Sequence, residues 1–177
     1  MKELWKEFEL SEDDLLHWFL KIEIIQDRKK KLIWLSQFSY IDKIANLAVS
    51  KQSDAILMLK DELLLYNDVA LSSQINLYQQ KISFLMYVTV ITCSDIAFAV
   101  SWLACFLTNS EFLHQVTADW ILLYLKRHRN LNLQLREGDE YLMTNNVLFA
   151  NNTVNWKNSQ SYTMKLFENL VDWQTNK

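Results

Sequence analysis

Hydrophobic and polar positions are spread unevenly along this chain, and one stretch dominates the pattern. From Ile82 to Leu125 there is no lysine or arginine, and the carboxylates are Asp95, Glu111 and Asp119. Its first part, Ile82–Leu107, is apolar on nearly every side, as expected of a helix enclosed by other helices or by lipid. Asp95 splits that run into pieces shorter than the roughly 18 apolar residues a membrane span requires. Forcing one span across it would set a carboxylate near the bilayer centre. Ser94 is instead placed to cap a helix whose first turn holds Asp95 against the positive end of the helix dipole. The pattern predicts two core helices meeting at Ser94, and no membrane span.

The flanking segments read as amphipathic helices that cover this pair. Leu4, Trp5 and Phe8 share one face of a short lead-in. Ser11 and Asp14 resemble a capping box before a helix to about Lys30, with Leu15, Trp18, Phe19, Ile22 and Ile25 at helical spacing. Further helices are predicted over 31–49, over 54–66 behind Ser53, from Ser72 or Ser73 through Cys93, from Ser94 to about Thr108, and from Ser110 through Lys126. Beyond Asn130 the texture loosens. Leu131–Leu135 alternates Leu with Asn and Gln, which permits an edge strand or an extended link. Gly138-Asp139 marks a turn or a helix start, and the Asn-rich 144–160 reads as a loop. Tyr162–Trp173 places Leu166, Phe167, Leu170, Val171 and Trp173 on one side of a closing helix.

Composition points the same way. The 177 residues include no proline and one glycine, Gly138. Hairpin corners ordinarily use Asn-Gly, other glycine turns or proline, whereas helices joined by Ser, Asn and Asp caps need none of these. The expected fold is all-α: one compact domain, 1–177, of about seven to nine helices around a central apolar pair. Residues 131–160 form a less regular connection, and 161–174 is the closing helix.

A net charge of −3 and a pI near 5.6 argue against nucleic-acid binding, which needs clustered lysine and arginine on one surface. The two basic clusters, at residues 28–31 and 126–129, each fall where a helix is expected to end, and cations suit that position. Cys93 and Cys105 lie in the apolar stretch, where free cysteine behaves as a small hydrophobe. The acidic N-terminus lacks the apolar core of a signal peptide, so the expected compartment is the cytoplasm.

Chemistry-bearing patterns are absent. His17, His114 and His128 are widely separated, and neither cysteine has a nearby histidine at metal-ligand spacing. A single glycine cannot build a phosphate loop. A Cys93/His114 nucleophile pair is conceivable, but cysteine in an apolar run is ordinarily inert packing. The expectation is a protein that is not an enzyme, with no catalytic, cofactor or metal residues. Trp34, Trp102 and Trp120 read as core. Trp5 and Trp156, beside charged or Asn-rich segments, are candidates for a partner surface, because exposed tryptophan favours binding hot spots. Residues 3–27 are the most acidic segment, and Glu12, Asp13 and Asp14, with Asp61, Glu62 and Asp68, suit steering toward a basic partner.

In size, acidity, Asn-rich texture, scarcity of Gly and Pro, and acid clusters such as Glu12-Asp13-Asp14 and Asp61-Glu62, the chain resembles the helical immunity proteins of bacterial toxin–immunity pairs. These include the immunity proteins of contact-dependent growth inhibition. The resemblance implies a stoichiometric cytoplasmic inhibitor that occludes the active site of one basic protein toxin, a nuclease being one candidate, without binding nucleic acid or membrane. Alternatives are a helical protein with a small-ligand or lipid pocket between the Ile82–Leu107 helices and their neighbours, and a virus-encoded helical protein that binds host helices.

Overall fold

The structure is a computed structural model, and it describes residues 16–49, 63, 67–148 and 159–176. It is mixed α/β, which corrects the all-α expectation. In chain order it runs β1 (Trp18–Phe19), β2 (Ile22–Asp27), β3 (Leu32–Ser36), α1 (Phe38–Ala45) and α2 (Ser72–Ile91). A 3₁₀ turn (Ser94–Ile96), α3 (Ala97–Ala104) and α4 (Phe112–His128) follow. Four strands complete the described chain: β4 (Leu133–Arg136), β5 (Tyr141–Leu148), β6 (Ser159–Leu166) and β7 (Asn169–Asn176). The first sheet is ordered β1-β2-β3-β4 and the second β5-β6-β7, antiparallel throughout.

The helical core forms where the sequence places its apolar stripe. Along α2, Tyr78, Ile82, Leu85 and Val88 recur at three- and four-residue steps and are sealed from solvent. Along α4, Ala118, Ile121, Leu122 and Leu125 do the same. Tyr40, Ile41 and Ile44 of α1, Ile96 of the 3₁₀ turn and Val100 and Leu103 of α3 join the same cluster. The central helix pair is therefore present, but its junction differs in detail. Cys93 occupies the N-cap position of the 3₁₀ turn and makes no side-chain cap bond, so Ser94 is not the cap. Asp95 does lie in the first turn, exposed, where its carboxylate accepts from Tyr124 Oη at 2.6 Å. The α4 cap sits one residue later than Ser110. Glu111 accepts from the His114 backbone N–H, and His114 Nδ1 accepts from the Glu111 N–H at 2.9 Å.

Three expected helices are strands or part strand. The helix to Lys30 is the hairpin β1–β2 with the start of the next turn. The helix over 31–49 is β3 followed by the short α1, and the closing helix at 161–174 is the hairpin β6–β7. Its partner β5 carries Asn145 and Asn146 in register with Tyr162 and Ser161, so the first part of the expected loop is strand. The helix over 54–66 lies outside the described residues, apart from Leu63, which is buried. β4 pairs with β3 at the edge of its sheet, as the Leu/Asn/Gln alternation permits.

The hairpin corners explain the discrepancy. Leu20 and Lys21 link β1 to β2 with φ of 48° and 65°, and Phe167 and Glu168 link β6 to β7 with 53° and 63°. Two successive left-handed residues make the tight hairpin turn usually written with Asn and Gly. Between β2 and β3, Asp27 Oδ1 accepts from the Lys29 and Lys30 N–H groups at 3.1 Å, and Lys31 takes the left-handed conformation. The basic cluster at 28–31 is thus a hairpin turn, while that at 126–129 ends α4 as expected.

The two sheets meet at Asn169, which is buried. Its Oδ1 accepts from the Arg136 N–H at 2.6 Å. Its Nδ2 lies 2.6, 3.2 and 2.8 Å from the carbonyls of Arg136, Leu166 and Phe167. Gly138 passes beneath the same turn, where an added Cβ would lie 2.7 Å from the Phe167 carbonyl oxygen.

Candidate functional site

The ionisable groups nearest the core are bound into the fold. Lys81, on the buried stripe of α2, sets Nζ 2.5 Å from Asp119 Oδ1 of α4, with side chains 1% and 4% exposed. Gln115 Oε1 lies 3.5 Å from the same ammonium, and Asp119 Oδ2 accepts from the Val49 N–H at 3.0 Å. The pair stitches α2, α4 and the segment after α1 together. Sequence reading passed over it because Lys81 immediately precedes the cation-free stretch. The available signal was an opposite charge on the apolar stripe of each of two neighbouring helices.

His114 is equally committed. Nδ1 accepts in the α4 cap, which places the ring proton on Nε2 in the neutral tautomer. The ring stacks on Phe106, with centroids 4.0 Å apart, and meets the edge of Tyr78. Tyr78 donates to the Leu103 carbonyl at 2.7 Å, and burial pushes its phenol well above the usual range. Asp95 raises Tyr124 to about 12, chiefly by accepting its proton in a hydrogen bond. Burial likewise raises the half-buried Cys93, which suits packing rather than nucleophilic attack.

Among the described residues, one concave surface is a cleft of about 360 Å³ between the helices and the second sheet. Met86 and Val90 of α2 with Ala97 and Ala104 of α3 supply an apolar wall, and Tyr162 of β6 with Asp172 and Trp173 of β7 face it. Trp173 Nε1 donates to the Thr89 carbonyl at 2.8 Å, and Ser101 Oγ donates to the Thr175 carbonyl at 3.0 Å. These two bonds pin β7 to α2 and α3, so the cleft is framed by fixed backbone. Tyr162 Oη donates to Asp172 Oδ2 at 3.0 Å, and that bond raises the tyrosine pKa. A helical ligand pocket beside the central helices is an alternative that the sequence leaves open; this cleft has a hairpin, not a helix, as its other wall. Asp172 and Trp173 could not be singled out while their segment read as the closing helix.

Among the residues proposed for partner binding, Asp68 is described. It is exposed, and its carbonyl accepts from Asn109 Nδ2 at 2.7 Å. Glu12, Asp13, Asp14, Asp61, Glu62, Trp5 and Trp156 lie outside the described residues. Trp34, Trp102 and Trp120, expected in the core, are half-buried. Among the described residues, no helix is long and apolar enough to cross a membrane. No three His, Cys, Asp or Glu side chains among them gather as metal ligands would.

Fold and site together define a mixed α/β protein with, among the described residues, a helical core, two small antiparallel sheets and an open cleft walled by helix and hairpin. Its sequence is similar to the retrovirus-related Pol polyprotein from transposon TNT 1-94 of Nicotiana tabacum, at 26% identity over 182 aligned residues. The alignment takes in 98% of this chain, which spans 14% of that relative's length. No protein-family model matches the chain, and no solved structure matches it.

Proposed function

We propose that this chain is a non-enzymatic packing and binding module of the kind carried inside transposon Pol-type polyproteins. The observation that carries the reading is the similarity to one such polyprotein along almost the whole chain. The geometry is in keeping with a module of this kind. Lys81, Asp119 and His114 are enclosed and hydrogen-bonded within the helical core, where they hold elements together. The β5 edge meanwhile presents Tyr141, Met143 and Val147, which share one face of the strand and are each about half or more exposed, as an apolar surface for neighbouring protein. The module works in the cytoplasm. The toxin-inhibitor expectation draws no support from the similarity, and five of its six acids lie outside the described residues.

The test is replacement. This chain is substituted for the matching 14% of the tobacco polyprotein, beside a deletion of the same segment and a chimera with Met143→Lys and Val147→Lys. The unaltered chimera should accumulate as protease-resistant full-length protein, and the deletion and the lysine chimera should not. A chimera degraded as fast as the deletion overturns the reading.

A further inference from the structure

The cleft between α2, α3 and β7 has the chemistry of a cation site with an apolar extension. Met86, Val90 and Ala97 offer hydrocarbon without a competing charge, and Asp172 is the carboxylate in the lining. Asp172 is held by Tyr162 through Oδ2 alone, which leaves Oδ1 able to accept from a ligand. Tyr162, which holds that carboxylate, and Trp173 also line the cleft, and aromatic faces attract cations, ammonium groups among them. A solvent-exposed carboxylate by itself binds an amine weakly. An adjoining apolar wall and aromatic rings supply the additional contact. The size also fits, since about 360 Å³ lies at the small end of ligand clefts.

We propose that this cleft binds a primary alkylammonium group, its alkyl chain laid on Met86, Val90 and Ala97 and its ammonium set against Asp172, Tyr162 and Trp173. The site is independent of the polyprotein reading, and either can fail without the other. A free alkylamine and a lysine side chain share this chemistry.

The experiment titrates the full chain at neutral pH with n-hexylamine, 1-hexanol and hexanoate, following the Trp173 indole N–H resonance assigned by a Trp173→Phe variant. Nα-acetyl-lysine N-methylamide is a fourth probe. Hexylamine should bind about tenfold more tightly than hexanol, and hexanoate more weakly than either. Asp172→Asn, at an exposed position, should erase the preference for the amine. Val90→Lys, also exposed, should abolish amine binding by placing a cation in the cleft. Binding of the lysine derivative as well as hexylamine assigns the site to protein lysines, and binding of hexylamine alone assigns it to free amines. Equal affinity for amine and alcohol overturns the proposal. So does an amine preference that survives Asp172→Asn, or no response to any probe.

Discussion

Lys81 Nζ and Asp119 Oδ1 lie 2.5 Å apart across the α2–α4 interface, both enclosed by the hydrophobic core. Such a pair is held by mutual compensation, because each charge alone would be stranded in a low-dielectric interior. Lys81→Met or Asp119→Asn should therefore destabilise the protein by about 3–5 kcal/mol. The double variant should recover part of that loss, since it removes both charges, while the Val49 N–H contact with Asp119 is weakened. Urea unfolding of the wild type, both singles and the double gives the coupling, and additive single losses would show that the two charges do not compensate each other.

Asn169 ties the two sheets together through one side chain. Asn169→Ala abandons the Arg136 N–H and removes the donor shared among three carbonyls, at about 2–4 kcal/mol. Asn169→Asp keeps the acceptor and loses the donor, so it should also destabilise. Chemical denaturation reads both, and a change below half a kcal/mol in Asn169→Ala would mean that water replaces these bonds.

Gly138 has no room for a methyl group. Because the obstructing atom is the Phe167 backbone oxygen, not a side-chain tip, Gly138→Ala must displace the β6–β7 turn, at about 1–3 kcal/mol. The thermal midpoint should fall, and amide exchange near Phe167 should accelerate.

The Leu20-Lys21 turn holds two ordinary residues in the left-handed region, which L side chains resist. Replacing them with Asn and Gly should stabilise the protein by about 1 kcal/mol, less the loss of the Lys21 contact over the Tyr40 ring. An unchanged or lower denaturation midpoint would argue that the hairpin carries little of the folding free energy.

Tyr124 gives the alkaline limb of stability a predicted shape. Its folded pKa is raised from 10.0 to about 12, so the folded state holds the phenolic proton more tightly than the unfolded chain. Its contribution is complete below pH 10 and is lost as pH rises toward 12. Tyr124→Phe should flatten the decline over that interval, measured by denaturation at stepped pH, and an unaltered slope would remove Tyr124 from it.

The helical core was legible because its signal is local. In α2, Tyr78, Ile82, Leu85 and Val88 already stand at helical steps, and the helix begins at Ser72, one of the two starts, Ser72 or Ser73, that the sequence offers. The apolar run broken at Asp95 likewise marked the junction before α3. Apart from β4, which the Leu/Asn/Gln alternation permits, the strands were not legible. Leu15, Trp18, Phe19, Ile22 and Ile25 fit helical spacing by coincidence, and β2 does not alternate cleanly, since Ile25 is apolar yet 42% exposed. Composition misled in the same direction, because Leu20-Lys21 and Phe167-Glu168 make tight turns with residues that disfavour them.

What the sequence determined by itself is the buried helical framework, where intrahelical hydrogen bonds and one apolar stripe are both written within a few residues. Only the tertiary structure decided which remaining segments became strand. A strand's hydrogen bonds lie on another segment, as when β3 takes β4 from about a hundred residues away. The Lys81–Asp119 pair, the Asn169 clamp and the cleft at Asp172 likewise exist only once distant segments meet, so their energies have no counterpart in local spacing.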